Sequence, residues 1–277
     1  MDDRPLLGPD EPEPFALENP EGRSPIVLVC EHGGHRIPSR LGTLGLTEEH
    51  RYKHFIWDIG ALELARALSQ ALDAPLAHQV YSRMVCDCNR RPDVESFIPD
   101  HGEGIPVPGN LTLTEAERDR RRVEVWQPFH DGTARLLDHR QATTEVTTLV
   151  TIHSFTPSFY GEPRPWHAGV LYDRDRSLSP ALFEVLSADH GEIIGHNEPY
   201  AMGRDSDYTV PVHGEDRDLP SVEIEVRNDL IGDAEGRAQW AERLAVAIGR
   251  AHAEIGIDIG ADTRADVGNQ TQRRKRS

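Results

Sequence analysis

Lysine is nearly absent from this chain of 277 residues, and positive charge in general is scarce. The two lysines are Lys53 and Lys275, so arginine supplies almost all of the basic residues. The 30 basic and 47 acidic residues give a formal net charge of −17. A general nucleic-acid binder needs basic surface to neutralise phosphates, so the composition excludes that class. A small acidic substrate is not excluded, because arginine in a local pocket can grip a carboxylate with two hydrogen bonds.

The sequence also lacks the signals of secretion and of membrane insertion. Three cysteines (Cys30, Cys86 and Cys88) are too few for a disulfide framework. No run approaches the ~20 apolar residues of a membrane span, and no charged segment with an apolar stretch opens the chain. We therefore expect a cytoplasmic protein without a membrane partner. The C-x-C pair has no second pair to complete a metal site, and a half-buried strand face is the favoured interpretation.

No internal repeat divides the chain, which has the organisation of one domain with two polar ends. Residues 1–23 are rich in Pro, Glu and Asp, and we expect a flexible N-terminal segment there. Residues 24–258 are predicted to form a single α/β domain. Residues 259–277 form a polar, basic tail that we expect to be disordered.

Strand-like and helix-like segments alternate between these ends. Apolar runs predict strands over residues 26–30, 80–88, 147–152, 169–172 and 221–226. Helical spacing predicts helices over 58–72, 180–187 and 238–255, and Thr114 with Glu117 forms a capping box that begins a helix toward Trp126. Pro128 is expected to kink or interrupt that helix. The alternation predicts a three-layer α/β/α sandwich, phosphorylase/hydrolase-like, with a mixed, mostly parallel central sheet.

Polar residues lie at the ends of four predicted strands. His32 follows the first strand, Asn89 and Arg90 follow the second, His153 follows the third, and Glu225 lies late in the last. Ligands of open α/β sheets bind at the carboxyl ends of strands, so we expect these side chains to lie close together. Two imidazoles and a carboxylate are the ligand set of a catalytic Zn²⁺, and a further carboxylate can serve as general base. The pattern predicts a hydrolytic metal centre.

Six segments, in this order, resemble the N-formylglutamate amidohydrolase family: LVCEHGGHRIP, HFIWDIGALELARAL, VYSRMVCDCNRRP, IHSFTP, GHNEPY and EIEVRNDL. The resemblance covers about residues 25–255. It implies hydrolysis of N-formyl-L-glutamate to formate and glutamate, as in histidine breakdown. It also implies the fold of zinc carboxypeptidases and aspartoacylases, a Zn²⁺ or other divalent cofactor, and a small acidic N-acyl amino acid as substrate.

The resemblance implies two metal-binding histidines and leaves the third ligand open. His32, after the first motif strand, and His153, in a His-Ser-Phe stretch, match the family pattern. Relatives in the wider fold carry a carboxylate three residues after the first histidine, where this chain has His35. Asp58 is the preferred replacement, although a helix N-cap is an equally good interpretation of it. Glu31 is a third candidate, but side-chain alternation along a strand would point it away from His32.

The same resemblance implies the substrate-handling residues. Arg83 matches the arginine that helps polarise the scissile carbonyl, and Asn89 with Arg90 matches a pair that holds a substrate carboxylate. Glu225 matches the general base. Glu223 would lie on the same face of the strand and competes with Glu225 for that role.

Two alternative functions stay open on the sequence. A zinc carboxypeptidase, or a deacylase for another N-acyl amino acid, would use the same residues. A non-catalytic carboxylate-binding module could also keep the fold and the arginine grip, although Glu225 argues against it, since a binder needs no base beside a metal. A nucleophilic serine hydrolase is disfavoured because no G-x-S-x-G motif is present.

Overall fold

A seven-stranded mixed sheet forms the centre of the protein. The computed structural model describes residues 4–143, 147–175, 177–188 and 191–255. In chain order the strands are β1 (Phe15–Glu18), β2 (Ile26–Cys30), β3 (Leu76–Gln79), β4 (His101–Gly102), β5 (Ile105–Pro106), β6 (Thr148–Phe155), β7 (Ser158–Phe159), β8 (Glu162–Pro163), β9 (Ala168–Leu171), β10 (Ile194–His196) and β11 (Ser221–Arg227). The pairs β4–β5 and β7–β8 are separate hairpins.

The central sheet has the order β1-β3-β2-β6-β11-β9-β10. Strands β3, β2, β6 and β11 are parallel to one another. Strand β1 pairs antiparallel at one edge, and β9 pairs antiparallel with β11 near the other edge. The carboxyl ends of the four central strands therefore lie along one side of the sheet, as the sequence predicts.

Helices cover both faces of the sheet. They are α1 (Ala61–Leu72), α2 (Glu115–Arg121), α3 (Gln127–Thr143), α4 (Leu178–Ser187) and α5 (Ala234–Glu254). Alternate residues of β2 point into two different cores: Ile26 and Leu28 pack with α1, α4 and α5, whereas Val27 and Val29 pack with α3. This confirms the predicted three-layer α/β/α sandwich. Among the described residues, no helix is both long enough and apolar enough to cross a membrane.

The helix that begins at Thr114 continues past its proline. The Thr114 hydroxyl accepts a hydrogen bond from the backbone N–H of Glu117, and the Glu117 carboxylate bonds back to Thr114, so the capping box is confirmed. Residues Arg122–Trp126 form a π-helical turn that joins α2 to α3. Pro128 has no N–H to continue the α-helical pattern, and the wider turn before it accommodates that loss.

The predicted strand over residues 80–88 is wrong. Strand β3 lies earlier in the chain and ends at Gln79, after which residues 80–90 are irregular. Polar side chains satisfy the backbone there: the Gln79 amide oxygen accepts from Val80 and Tyr81, and Asp87 accepts from the N–H of Asn89. Such local bonds replace a strand ladder. Both cysteines of the C-x-C pair are buried in this irregular segment, so they do not form a strand face.

The described part of the N-terminal segment 1–23 includes strand β1, which pairs with β3 and so adds an edge to the sheet. The tail 259–277 lies outside the described residues. The domain boundaries after residues 23 and 258 stay a prediction.

Candidate active site

The alternation of side chains along β11 places its two glutamates on the side of the sheet that faces away from α1 and α5. Val222, Ile224 and Val226 are buried in the α1/α5 core, so Glu223 and Glu225 point to the other face. Strand register then pairs Glu225 with His153 of β6. This register alone makes His153 and Glu225 neighbours across the two strands.

A tight turn after β2 brings His32 to the same edge of the sheet. The backbone carbonyl of His32 accepts a hydrogen bond from the N–H of Asp58 at 2.9 Å, which fixes both residues. Gly34 passes directly against the chain after β3: a Cβ on it would lie 2.2 Å from the carbonyl carbon of Val80. Only glycine permits this close approach.

Replacing Gly34 with alanine should therefore destabilise the fold. The new Cβ meets backbone atoms that cannot rotate away, and we expect a loss of about 1–3 kcal/mol in the free energy of unfolding. Gly33→Ala is the matched control, because its Cβ would meet only the side chains of Cys30 and Leu62, at 3.1 Å. Urea unfolding of both variants measures the difference; an equal or smaller loss for Gly34→Ala would contradict the assignment.

His32, Asp58 and His153 come together as a possible metal-binding group. Their ligand atoms all lie within 4.8 Å of one another, and all three side chains are buried. One carboxylate oxygen of Asp58 lies 3.0 Å from Nδ1 of His153 and 3.5 Å from Nδ1 of His32. Asp58 thus lies between the two imidazoles.

A further carboxylate orients each histidine from its opposite side. Nε2 of His32 lies 2.6 Å from Asp87, and Nε2 of His153 lies 3.0 Å from Glu31. Carboxylates in such positions fix the tautomer and the ring orientation of histidines that bind metal through the other nitrogen. Both Nδ1 atoms therefore face Asp58.

The donor set fits a divalent transition metal such as Zn²⁺. Nδ1 of His32 and the second carboxylate oxygen of Asp58 are buried and have no hydrogen-bond partner among the described residues, so both can serve as ligands. Burial raises the pKa of Asp58, but the imidazoles of His32 and His153 outweigh burial and hold it well below its ordinary value. Asp58 is therefore an anion, as a ligand must be.

The two other candidates for the third ligand lie differently. His35 is exposed and packs against the ring of Trp57 at 5.1 Å between centroids, outside this group. The expectation that strand alternation points Glu31 away from His32 does not apply, because β2 ends at Cys30 and the chain turns there. Glu31 is buried against His153 and contacts its far nitrogen.

The two glutamates of β11 differ in their partners. Glu223 accepts a hydrogen bond from the side-chain amide of Asn89 at 2.9 Å, whereas one oxygen of Glu225 is buried without a partner among the described residues. Burial raises the pKa of Glu225 well above its ordinary value; His153 opposes this effect, and the carboxylate of Asp58 adds to it. A carboxyl group in this environment can accept and return a proton near neutral pH.

Arg83 lies beside the possible metal-binding group, close to Asp58. Its guanidinium donates to Asp87 at 2.5 Å and lies 3.6 Å from Asp58. Burial lowers the pKa of Arg83, but the carboxylates of Asp87 and Asp58 raise it by more, so the guanidinium stays positively charged. Arg83 also lines the central cavity, where it can face a substrate.

The Asn89-Arg90 pair lies at the cavity wall and already has protein partners. The amide oxygen of Asn89 accepts the backbone N–H of Thr209 at 3.1 Å, and its amide nitrogen donates to Glu223. Arg90 is ion-paired with Asp207. An amide nitrogen has two N–H groups and a guanidinium five, so both side chains keep donors for a ligand.

A cavity of about 620 Å³ opens over these groups. The predicted residues that line it are His32, Asp58, Arg83, Asn89, Arg90, His153, Glu223 and Glu225. The structure thus brings together all of the residues proposed from the sequence except His35. Glu31 does not line the cavity but contacts His153.

A family model for N-formylglutamate amidohydrolases matches residues 24–232. The chain belongs to this family. An N-formylglutamate deformylase of Pseudomonas putida is 27% identical over 194 residues, which are 64% of this chain and 70% of that protein. The matched class identifies the chain as a hydrolase of the amidohydrolase type.

Two solved structures are similar in fold. A gene product of Agrobacterium tumefaciens has 36% sequence identity and a TM-score of 0.87, covering 91% of this chain and 99% of its own. The N-formylglutamate amidohydrolase of Ralstonia eutropha has 19% identity and a TM-score of 0.67, covering 88% and 98% of the two chains. The second likeness shows the fold alone.

Sequence reasoning missed several cavity residues of this amidohydrolase. His54 and Tyr200 line the cavity, and burial lowers the pKa of His54 to about 4, which keeps its imidazole neutral. Asp87, within the quoted segment VYSRMVCDCNRRP, orients His32. The quoted segments HFIWDIGA and GHNEPY contain His54 and Tyr200, so the family resemblance was the available signal.

Proposed function

We propose that this chain is a divalent-metal-dependent amidohydrolase that removes the formyl group from N-formyl-L-glutamate or a closely related acidic N-formyl amino acid. The observation that carries this proposal is the group His32, Asp58 and His153 beside Glu225, in a chain of this family. His32 and His153 would hold the metal through Nδ1, and Asp58 through a carboxylate oxygen. A metal bound there, zinc in our proposal, supplies Lewis acidity to the amide carbonyl and to water.

Glu225 would move the proton in this reaction. Its carboxylate accepts a proton from the attacking water, the water oxygen bonds to the formyl carbon, and the C–N bond then breaks. Glu225 returns the same proton to the departing amine, so formate and a free amino acid are released. The Glu225 oxygen that has no partner among the described residues is the atom available for this transfer.

Arg83 and the Asn89-Arg90 pair would orient the substrate. The Arg83 guanidinium would stabilise negative charge on the carbonyl oxygen as water adds. Arg90, with the second N–H of the Asn89 amide, would hold one substrate carboxylate by charge-assisted hydrogen bonds. Glu223, which bonds Asn89, would keep that amide in place.

Metal analysis combined with a substrate panel tests the proposal. We expect about one divalent ion per chain, and faster hydrolysis of N-formyl-L-glutamate than of the N-acetyl and N-succinyl derivatives of glutamate. A preference for an acetyl or succinyl group would assign a different deacylase activity. Carboxylate binding without turnover by the metal-loaded protein would favour the binding module.

A further inference from the structure

Arg164 is a buried arginine beside the cavity whose charge no carboxylate neutralises within the part of the chain that the structure describes. Its residue exposure is 8%. Its guanidinium donates one long hydrogen bond, 3.5 Å, to the hydroxyl of Thr156, and it also hydrogen-bonds the hydroxyl of Tyr200. The guanidinium carbon lies 4.6 Å from the ring centre of Phe159 and 4.7 Å from that of Tyr200. Arg164 is therefore held between two aromatic rings rather than by an acidic partner.

The other two arginines of the site differ from Arg164 in this respect. Arg83 is paired with Asp87 and Arg90 with Asp207, so the protein itself compensates both charges. A buried charge without a counter-ion is costly, and proteins usually avoid it. A guanidinium without a counter-ion can bind an anion from outside the protein, and its planar arrangement of N–H donors matches the two oxygens of a carboxylate.

The aromatic partners of Arg164 connect it to the catalytic cavity. Phe159, in the β7–β8 hairpin, and Tyr200 both line the cavity. Arg164 also packs on the ring of Phe155, which follows His153 by two residues on strand β6. Burial raises the pKa of Tyr200 and the charge of Glu225 raises it further, while the charge and the hydrogen bond of Arg164 oppose this rise, so the phenol lies between Arg164 and the proposed base.

We propose that Arg164, together with the Tyr200 hydroxyl, binds a second carboxylate of the substrate. Arg90 would hold one carboxylate and Arg164 the other, which makes the site selective for dicarboxylic N-acyl amino acids. This inference rests on the proposed function for its reaction, but the carboxylate site can be tested without turnover.

The binding test uses glutarate, a dicarboxylate without a scissile amide, and its neutral-ended analogue glutaramate. The wild-type protein should bind glutarate more tightly than glutaramate in calorimetric titrations. Arg164→Gln should weaken glutarate binding by about 10- to 100-fold, the range for charge-assisted hydrogen bonds, and leave glutaramate binding nearly unchanged. Arg217→Gln is the matched control, because Arg217 pairs with Asp138 outside the cavity and should bind glutarate as the wild type does.

A stability measurement separates binding from a structural role. Because no described carboxylate pairs with Arg164, Arg164→Gln should unfold at the same temperature as the wild type or at a higher one. A lower melting temperature, with glutarate and glutaramate weakened equally, would mean that Arg164 only supports the aromatic rings and would overturn the proposal. Failure of the wild type to bind glutarate would overturn it as well.

Kinetics distinguish this proposal from the proposed function. Arg164→Gln should raise KM for N-formyl-L-glutamate far more than it lowers kcat, and change hydrolysis of N-formyl-L-glutamine by less than about threefold. If the wild type hydrolyses neither compound but binds glutarate through Arg164, the proposed function fails and the carboxylate site stands. If hydrolysis is normal and Arg164→Gln keeps the wild-type preference for glutamate, the carboxylate site fails and the function stands.

Discussion

Replacing Glu225 with glutamine should remove most of kcat while metal and substrate still bind. The amide has nearly the same shape as the carboxylate but cannot accept the proton of the attacking water. General acid–base catalysis typically contributes about 10²–10⁴-fold, so a loss of this size is expected. Steady-state kinetics, with metal content measured on the same sample, give the result.

Glu223→Gln is the control, because Glu223 lies on the same face of β11 and differs in its partners. Its carboxylate already accepts from Asn89, so we expect kcat to fall by less than about tenfold, a barrier change below ~1.4 kcal/mol. An inactive Glu223→Gln beside an active Glu225→Gln would transfer the role of base to Glu223. Full activity of both variants would contradict the hydrolytic mechanism itself.

The fold of Glu225→Gln can be checked through its stability. The folded pKa of Glu225 is raised above the unfolded value of 4.5, so its carboxylate costs stability as pH rises above that value. In protein stripped of metal, Glu225→Gln should therefore melt at or above the wild-type temperature at pH 7. A loss of kcat with such a melting temperature cannot be attributed to misfolding.

Removal of a proposed metal ligand should abolish metal binding and activity together. His153→Ala and Asp58→Asn should each reduce the metal content after dialysis from about one ion per chain to near zero. The reason is that His153 and Asp58 lie 3.0 Å apart at the centre of the buried donor group. Elemental analysis by mass spectrometry measures the metal directly.

His35→Ala distinguishes His35 from Asp58 as candidates for the third ligand. His35 occupies the position at which the wider fold carries a carboxylate, but it is exposed against Trp57, so its removal should leave the metal content unchanged. Loss of metal in His35→Ala together with full metal content in Asp58→Asn would reverse the assignment of Asp58.

The sequence predicted the parts of the site that depend on strand ends. Apolar runs precede or contain His32, His153 and Glu225. Parallel strands bring the ends of such runs together independently of the conformation of the loops. Asp58 was predicted as a ligand on its place in a motif, and the structure puts it between the two imidazoles. Its assignment as a ligand stays a prediction.

The errors and omissions have a common cause, which is that loops are fixed by contacts distant in sequence. The strand predicted over 80–88 follows an apolar pattern, yet local side-chain bonds from Gln79 and Asp87 decide the backbone. The orientation of Glu31 depends on where β2 ends, which alternation cannot show. Arg164 follows no predicted strand, and only the three-dimensional structure shows that no carboxylate pairs with it among the described residues.

The parallel pairing of β2, β6 and β11 has a consequence for how the protein would acquire the metal that we propose. His153 is separated from Asp58 by 95 residues along the chain and from Glu31 by 122, so loop closure over long segments must precede the site. Such non-local topology is formed late and slowly in folding. A nascent or partly folded chain therefore has no preformed centre, and a bound ion adds its binding free energy to the native state alone. Metal supply in the cell would then affect the lifetime of the folded protein rather than the folding process.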